Sequence, residues 1–295
     1  MRIARTLSLI AAVATLAAGC ASSPPAAPEK LVSRGSIVAV TSTQQLIRFD
    51  AARPGQVLSS KPLTGLQPGE TVLGIDYRVA KGWLYAVGST NRLYRINADT
   101  AIATPVGERF AVSLTGTHFG VDFNPTVDRI RVVSDSGQNL RLHPDTGAVV
   151  DGDAAAPGVQ GDTPLDYATG DRNAGQRPAV VAVGYTYNKT DEKLTTNYAL
   201  DGAAATLVTL GSREGVTPVV SPNTGHLFTV GPLGLPPFTD AAFDIADVSG
   251  LAFAAVTGPG ATSSTWVEID LASGRAREIG RIGSNTTVLA FAIEP

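Results

Sequence analysis

The sequence Leu73-Gly74-Ile75-Asp76-Tyr77 has four further versions along the chain, at residues 119–123, 183–187, 241–245 and 289–293. Each version places a small residue before a large apolar one, then Asp, Thr or Ala, then a second large apolar residue. Alternation with a period of two predicts a β-strand, and recurrence at intervals of about 46 to 64 residues indicates a repeat architecture.

Further strands follow each version of this theme. A second apolar alternation appears at 84–87, 130–133 and 251–256, and a third follows a polar turn, at 93–97, 140–144 and 266–270. A fourth strand is indicated at 104–107, 227–231 and 278–280. Four antiparallel strands per unit, without helical periodicity between them, are typical of a β-propeller blade.

The two ends of the repeat region complement each other. Residues 37–40 and 46–50 resemble second and third strands with no first strand before them, whereas 288–293 resembles a first strand with nothing after it. The sequence therefore predicts an all-β propeller of five four-stranded blades, closed between its N- and C-terminal strands. Six blades are the alternative, because residues 151–178 are long enough to contain a strand pair.

The composition is that of an ordinary globular domain. The net charge is −3 and 17% of the residues are charged, so the basic excess expected of a nucleic-acid-binding protein is missing. An all-β fold can span residues 37–295 as one domain.

The N-terminus has the features of a targeting segment. Arg2 and Arg5 precede a short apolar run at 7–16, and Leu16-Ala17-Ala18-Gly19-Cys20 resembles the lipobox of bacterial lipoproteins. This pattern predicts a signal peptide at 1–19, diacylglycerol on Cys20 and a Pro/Ala-rich tether at 20–36. A secretory signal without lipid is the alternative.

A lipid on Cys20 makes the membrane a partner of the protein. The chain would be held at the cell envelope, facing away from the cytoplasm, and Ala21 after the cysteine favours the outer membrane if the source is Gram-negative. The chain has one cysteine, so it forms no intramolecular disulfide.

A resemblance to a known family rests on three stretches of the propeller region. They are Gly74 to Tyr77, Gly88 to Tyr94 and, above all, Phe119 to Arg141, which contains Asn124-Pro125-Thr126-Val127-Asp128-Arg129 and Ser134-Asp135-Ser136-Gly137-Gln138-Asn139. With these residues the chain resembles the bacterial domain of unknown function 4394 (DUF4394) over roughly 38–293. The resemblance implies a propeller-like fold and brings no substrate or catalytic residue. The regular pattern is lost around 189–200.

Asp76, Asp122 and Asp244 occupy equivalent positions of three innermost strands, where Thr186 and Ala292 stand in the other two. If these carboxylates converge on the channel, they form a site for a hard cation such as Ca²⁺. Alternatively, each Asp accepts backbone N–H groups from the neighbouring blade.

Six further candidate ligand-binding residues lie in one hairpin, and they are Asp128, Arg129, Arg131, Asp135, Asn139 and Arg141. An Arg among carboxylates can bind an anionic ligand with its planar guanidinium. The alternative is a salt-bridge network between blades. The Asp-rich segment 151–176 is interpreted as a solvated loop.

Two classes of function remain. No nucleophile elbow or set of acid, base and nucleophile is recognisable, which favours a binding module for a protein, glycan or small molecule over an enzyme. The alternative is a metal-dependent hydrolase of the lactonase or esterase kind, with the channel carboxylates as ligands, and it rests on fold analogy alone.

Overall fold

The computed structural model describes residues 35–295, so the predicted signal peptide, Cys20 and nearly all of the tether lie outside the described residues. Within 35–295 the strands form five sheets. The all-β prediction is therefore confirmed.

The strands are numbered in chain order, and each sheet is one blade. Blade one contains β1 (Ser36–Thr41), β2 (Gln45–Asp50), β3 (Val57–Pro62) and β20 (Val288–Ile293). Blade two contains β4 (Val72–Arg78), β5 (Trp83–Gly88), β6 (Arg92–Asn97) and β7 (Ile102–Val106). Blade three contains β8 (Phe119–Asn124), β9 (Arg129–Ser134) and β10 (Asn139–Leu142). Blade four contains β11 (Asp166–Tyr167), β12 (Val180–Tyr185), β13 (Asn197–Asp201), β14 (Thr206–Leu210) and β15 (His226–Pro232). Blade five contains β16 (Asp240–Ile245), β17 (Ala252–Thr257), β18 (Thr265–Ile269) and β19 (Ala276–Arg281).

The ring closes as predicted, because the last strand completes the first blade. Strand β20 pairs antiparallel with β1, with Ile37 opposite Ile293 and Ala39 opposite Phe291. The five innermost strands, β4, β8, β12, β16 and β20, pack in this order, and β20 returns to β4. Each blade thereby covers the apolar face of its neighbour.

The six-blade alternative is wrong. Residues 151–178 contribute only the two-residue strand β11, which pairs in parallel with β15 at the outer edge of blade four. Blade three has three strands, and a single bridge between Leu142 and Val149 stands in place of a fourth.

The theme of blade four lies two residues earlier than its sequence pattern indicates. We predicted it at 183–187, but β12 ends at Tyr185. In blade four, the residue at the position equivalent to the three aspartates is Gly184, and not Thr186. The neighbouring sequence alternates as Val-Val-Ala-Val-Gly-Tyr-Thr-Tyr, and a shift of two residues keeps every side chain on the same face, so periodicity cannot detect it.

Aromatic packing joins the last blade to the first. Trp266 is fully buried and stacks on Phe253 with ring centroids 5.2 Å apart. It meets Phe49 at 5.1 Å and Phe291 at 4.7 Å edge to face. Its indole N–H donates to the carbonyl oxygen of Ala51 at 3.0 Å, so the polar atom of this core residue is also satisfied.

The small residue of the theme allows the innermost strands to approach closely. A methyl group added to Gly120 would lie 2.6 Å from the backbone nitrogen of Val183 and 2.7 Å from the carbonyl carbon of Ala182. At this depth the space left between the innermost strands is only about 10 Å³. The channel is therefore nearly filled by side chains at this depth.

Candidate functional site

The three aspartates meet at one mouth of the ring. They lie near the C-terminal ends of β4, β8 and β16, which point to the same face, and all three are buried. One carboxylate oxygen of each lies within 4.8 Å of the others. The repeat thus brings Asp76, Asp122 and Asp244 together although they are far apart in the chain.

Each of these carboxylates also accepts a hydrogen bond from the next blade. Asp76 accepts from the backbone N–H of Phe123 at 2.7 Å, and Asp122 accepts from that of Tyr185 at 3.2 Å. Asp244 accepts from that of Ile293 at 2.7 Å. The position of Tyr185 in this series establishes the register of blade four described above.

The three carboxylates accept unequal numbers of hydrogen bonds. Asp76 and Asp244 each accept a second N–H, from Tyr77 at 2.7 Å and from Ile245 at 2.6 Å. Within 35–295, Asp122 has one such bond and its second oxygen has none. The predicted inter-blade hydrogen bonding is present, and it leaves oxygen lone pairs available at the centre.

The cluster has no neighbouring cationic side chain among the described residues. No Lys or Arg nitrogen of the described chain lies within 4.0 Å of these carboxylates. Burial, together with the charge of Asp244, raises the pKa of Asp76 well above its usual range. Burial, with the charges of Asp76 and Asp244, does the same to the pKa of Asp122. Burial raises the pKa of Asp244 to about 6.

The donor set is of the kind that hard cations take. Ca²⁺ and Mg²⁺ both prefer oxygen ligands, and the three carboxylates each offer one oxygen within 4.8 Å of the others. Gly184 and Ala292, at the two remaining equivalent positions, supply no side-chain donor. Further ligands of a cation would therefore be water or a bound molecule.

A cavity at this mouth reaches Phe123, whose backbone N–H binds Asp76, although none of the three aspartates lines it. Its volume is about 410 Å³, and its lining includes Phe123, Pro125, Tyr187 and Leu194. Burial raises the pKa of the Tyr187 hydroxyl, and the charges of the three aspartates raise it further, which places the phenol beside the cluster. Sequence analysis missed Tyr187 as a site residue because it assigned this residue to a strand.

The loop that carries Tyr187 lies at this mouth and contacts a neighbouring blade. It connects β12 with β13, and the amino group of Lys189 donates to the carbonyl oxygen of Val248 in blade five. On the other side of the cavity, Arg78 of blade two pairs with Asp128 and Asp145 of blade three, both at 2.5 Å. The walls of the cavity are thus tied to neighbouring blades.

The structure separates the six hairpin residues that we grouped. Asp128 pairs with Arg78, and Asp135 accepts from the backbone N–H of Thr117 at 2.8 Å. Asn139 accepts from Arg131 at 2.8 Å and donates to backbone carbonyls. Three arginines line a separate cleft of about 310 Å³ between blades three and four, and they are Arg129, Arg131 and Arg141.

Asp162 is a residue whose role sequence analysis missed. Its side chain is 1% exposed and binds Arg131 at 2.6 Å and Arg141 at 2.7 Å. The expectation of a solvated loop is therefore wrong for Asp162, and nothing in its local sequence indicates burial. The exposed Asp151 and Asp153, by contrast, accept backbone N–H groups of their own loop.

No helix among residues 35–295 is long and apolar enough to cross a membrane. The family model described as a domain of unknown function, DUF4394, matches residues 45–292. No curated protein matches the chain.

Several solved structures are similar to the chain at low identity. A structural genomics protein of unknown function from Bacteroides thetaiotaomicron is 14% identical with a TM-score of 0.47, covering 85% of this chain and 58% of its own. A chain of a nidogen/laminin complex is 12% identical with a TM-score of 0.42, and the match covers 88% of this chain and 99% of that one. The glutaminyl cyclase of Myxococcus xanthus is 12% identical with a TM-score of 0.41, and the match covers 75% of this chain and 86% of the cyclase. The chain thus spans little more than half of the Bacteroides protein, and the fold described above rests on its own sheet order.

Proposed function

The chain belongs to the DUF4394 family, and from its geometry and its N-terminal sequence we propose that it is a lipid-anchored binding propeller that holds a divalent cation, with Ca²⁺ as the candidate, at one mouth. The observation that carries this proposal is the convergence of three buried carboxylates within 4.8 Å. The cation and the adjoining cavity together form the binding surface.

Charge compensation is the physical argument for the cation. Burying ionised carboxylates near one another costs free energy unless they are paired, protonated or bound to a metal. The raised pKa values of Asp76 and Asp122 express this cost in the metal-free protein. A divalent cation would favour the ionised form of all three aspartates and recover the cost.

The ligand of the cation is predicted to be an oxygen-bearing molecule that enters through the cavity. Hard cations take six to eight oxygen ligands, more than three aspartates supply if each gives one atom. Because Gly184 and Ala292 add no donor, the remaining coordination positions would be filled by water or by a bound molecule. A carboxylate, a hydroxyl group of a glycan or a peptide carbonyl can occupy them.

Calcium titration of the chelator-treated protein tests the proposal. We expect one Ca²⁺ per chain by calorimetry and a higher melting temperature, because a ligand that binds only the native state stabilises it by about 2.7 kcal/mol at 100 times its Kd. Asp122→Asn should abolish both effects. Asp191→Asn, on the exposed part of the same mouth, is the control.

Equal melting curves of the wild type in Ca²⁺ and in chelator would reject the cation site. The three aspartates would then act only as acceptors of inter-blade hydrogen bonds. An equal loss of Ca²⁺ binding in Asp191→Asn would also contradict the assignment.

The anchoring part of the proposal rests on the N-terminal sequence. Cys20 follows a basic n-region and a short apolar run, as in lipoprotein signals. We expect the wild type to be labelled by palmitate in cells and to sediment with membranes, whereas Cys20→Ser should be unlabelled and soluble. A wild type that is already unlabelled and soluble would reject the anchor and the outer-membrane location.

A metal-dependent hydrolase is the second candidate, and the cavity of about 410 Å³ beside the cluster favours it. A cation there would polarise an ester or lactone carbonyl. Ca²⁺-dependent turnover of simple lactones and aryl esters, lost in Asp122→Asn, would support hydrolysis. Stoichiometric Ca²⁺ binding without turnover of these substrates would leave the binding function.

A further inference from the structure

The cleft between blades three and four concentrates arginine side chains. Arg129 and Arg131 lie two residues apart on β9, and Arg141 on β10 stands directly opposite Arg131 in the strand register. Like charges at opposed positions of a sheet are destabilising. The three guanidinium groups nevertheless line one cleft, together with Tyr185 and Asn223.

The positive charge of this cleft exceeds its negative charge. Asp162 is the one carboxylate of residues 35–295 that pairs with these arginines, and it is shared by Arg131 and Arg141. Within the part of the chain that the structure describes, Arg129 donates only to the backbone carbonyls of Val127 and Asp128. Asp122 stands opposite Arg131 in the register of β8 and β9, but it does not line the cleft.

Arg131 is the fixed part of the cleft. Its side chain is 2% exposed, and it donates to Asn139, Asp162, Asn223 and the hydroxyl of Tyr185, at 2.6 to 3.3 Å. An arginine held on all sides in this way keeps its charge and cannot turn away from the cleft.

Donors for an anion remain on the neighbouring groups. A guanidinium has five N–H groups, and Arg141 uses its Nε and one on Nη2 for Asp162. The Nε and Nη2 groups of Arg129 have no acceptor in the described chain. Tyr185 lines the cleft although it is 1% exposed, and its hydroxyl accepts from Arg131 at 3.3 Å, so its own proton has no acceptor among the described residues.

We propose that this cleft is a binding site for an oxyanion, the carboxylate or phosphate group of a small molecule. Arg129 and Arg141 provide the direct contacts, Tyr185 adds a hydroxyl donor, and Arg131 with Asp162 holds the wall in place. The volume of about 310 Å³ admits the anionic end of such a ligand with a few further atoms. The bound anion compensates the excess positive charge. The site does not depend on the cation at the ring mouth.

Calorimetry on the full chain with inorganic phosphate and with acetate, at constant ionic strength in chloride, tests the proposal. We expect one site per chain, with the tighter of the two anions identifying the preferred class. Arg129→Gln should weaken that binding at least tenfold while leaving the pairs of Asp162 intact. Arg177→Gln removes the same charge from an exposed position outside the cleft and should bind as the wild type does.

Arg141→Gln should also weaken binding at least tenfold. Because this substitution removes one partner of Asp162, the melting temperature of the variant is measured in parallel. If Arg141→Gln fails to fold, the binding of the anion by Arg129→Gln decides whether the cleft is the site. Binding should persist in chelator, which separates this site from the cation site. The proposal is overturned if neither anion binds above the chloride background, or if Arg129→Gln and Arg177→Gln bind alike.

Discussion

The ring mouth and the cleft between blades three and four have opposite charge imbalances. At the mouth, Asp76, Asp122 and Asp244 meet without a basic side chain within 4.0 Å in the described chain. In the cleft, three guanidinium groups lie together, and among residues 35–295 the one carboxylate that pairs with any of them is Asp162, which binds Arg131 and Arg141. In blade three, Asp122 and Arg131 stand opposite each other on adjacent strands, yet the guanidinium binds outward to Asp162 and Asn223.

This difference shows two ways in which a propeller builds a charged site. The mouth arises from repetition, because three blades place the residue at one position of the theme at the same end of the ring. The cleft, by contrast, depends on the pairing of one hairpin with the distant loop that carries Asp162. A repeated site can therefore be recognised from the chain as a pattern, whereas the cleft needs contacts between Arg131, Asp162 and Asn223.

Loss of Asp162 should have the largest effect on the cleft. Asp162→Ala leaves Arg131 buried with an uncompensated charge, and breaking a buried ion pair in this way costs about 3–5 kcal/mol. Denaturant titration should show this loss of unfolding free energy, with added phosphate recovering part of it. Asp151→Ala, at an exposed position, is the control. Similar stability of the two variants would show that the cleft tolerates its full positive charge.

A methyl group at Gly120 should disturb the mouth by forcing two blades apart. Gly120→Ala places the new carbon 2.6 Å from the backbone nitrogen of Val183, and overpacking of this kind costs about 1–3 kcal/mol. Since Asp122 follows two residues later on the same strand, the melting shift caused by Ca²⁺ should also shrink. Gly258→Ala, where no atom lies within 4 Å of the added carbon, should change neither quantity. An unchanged Ca²⁺ shift in Gly120→Ala would mean that the spacing of the carboxylates is tolerant.

The metal-free mouth should lose stability as pH rises. Burial raises the pKa of Asp244 to about 6 and those of Asp76 and Asp122 well above their usual range. The folded state therefore binds more protons than the unfolded state above about pH 4, and the free energy of unfolding falls with rising pH. In chelator, Asp122→Asn should reduce this fall and be more stable than the wild type at neutral pH. A wild type whose stability is flat from about pH 4 to 7 in chelator would contradict the raised pKa values.

The smallest effect is expected at the opposite mouth, where charges are paired. His118 lies 3.2 Å from Asp240, and this hydrogen bond raises the pKa of the histidine. Its stabilisation is present below about pH 6.5 and is lost as pH rises through the folded pKa. The difference in unfolding free energy between the wild type and His118→Gln should therefore shrink between about pH 6 and 8. A difference that is independent of pH would show that the pair contributes no charge interaction.

Repetition predicted which side chains could lie close together, and it gave no information on the other groups around them. The equivalence of Asp76, Asp122 and Asp244 was recognisable from the theme, and the structure places their oxygens together. Thr186 was assigned to the position that Gly184 occupies, because a two-residue shift preserves strand periodicity. The same shift assigned Tyr187 to the strand, and its place in the loop at the mouth was therefore not recognised.

The sequence by itself determined the strand theme, the five-blade count as the first choice and the closure of β20 on β1. These follow from local alternation and from complementary chain ends, which are properties of neighbouring residues. Only the tertiary structure decided that Asp162 is buried between Arg131 and Arg141, and that three arginines of one hairpin line the same cleft. The loop of Asp162 has no periodicity that fixes its path, so its contacts depend on how blades three and four pack.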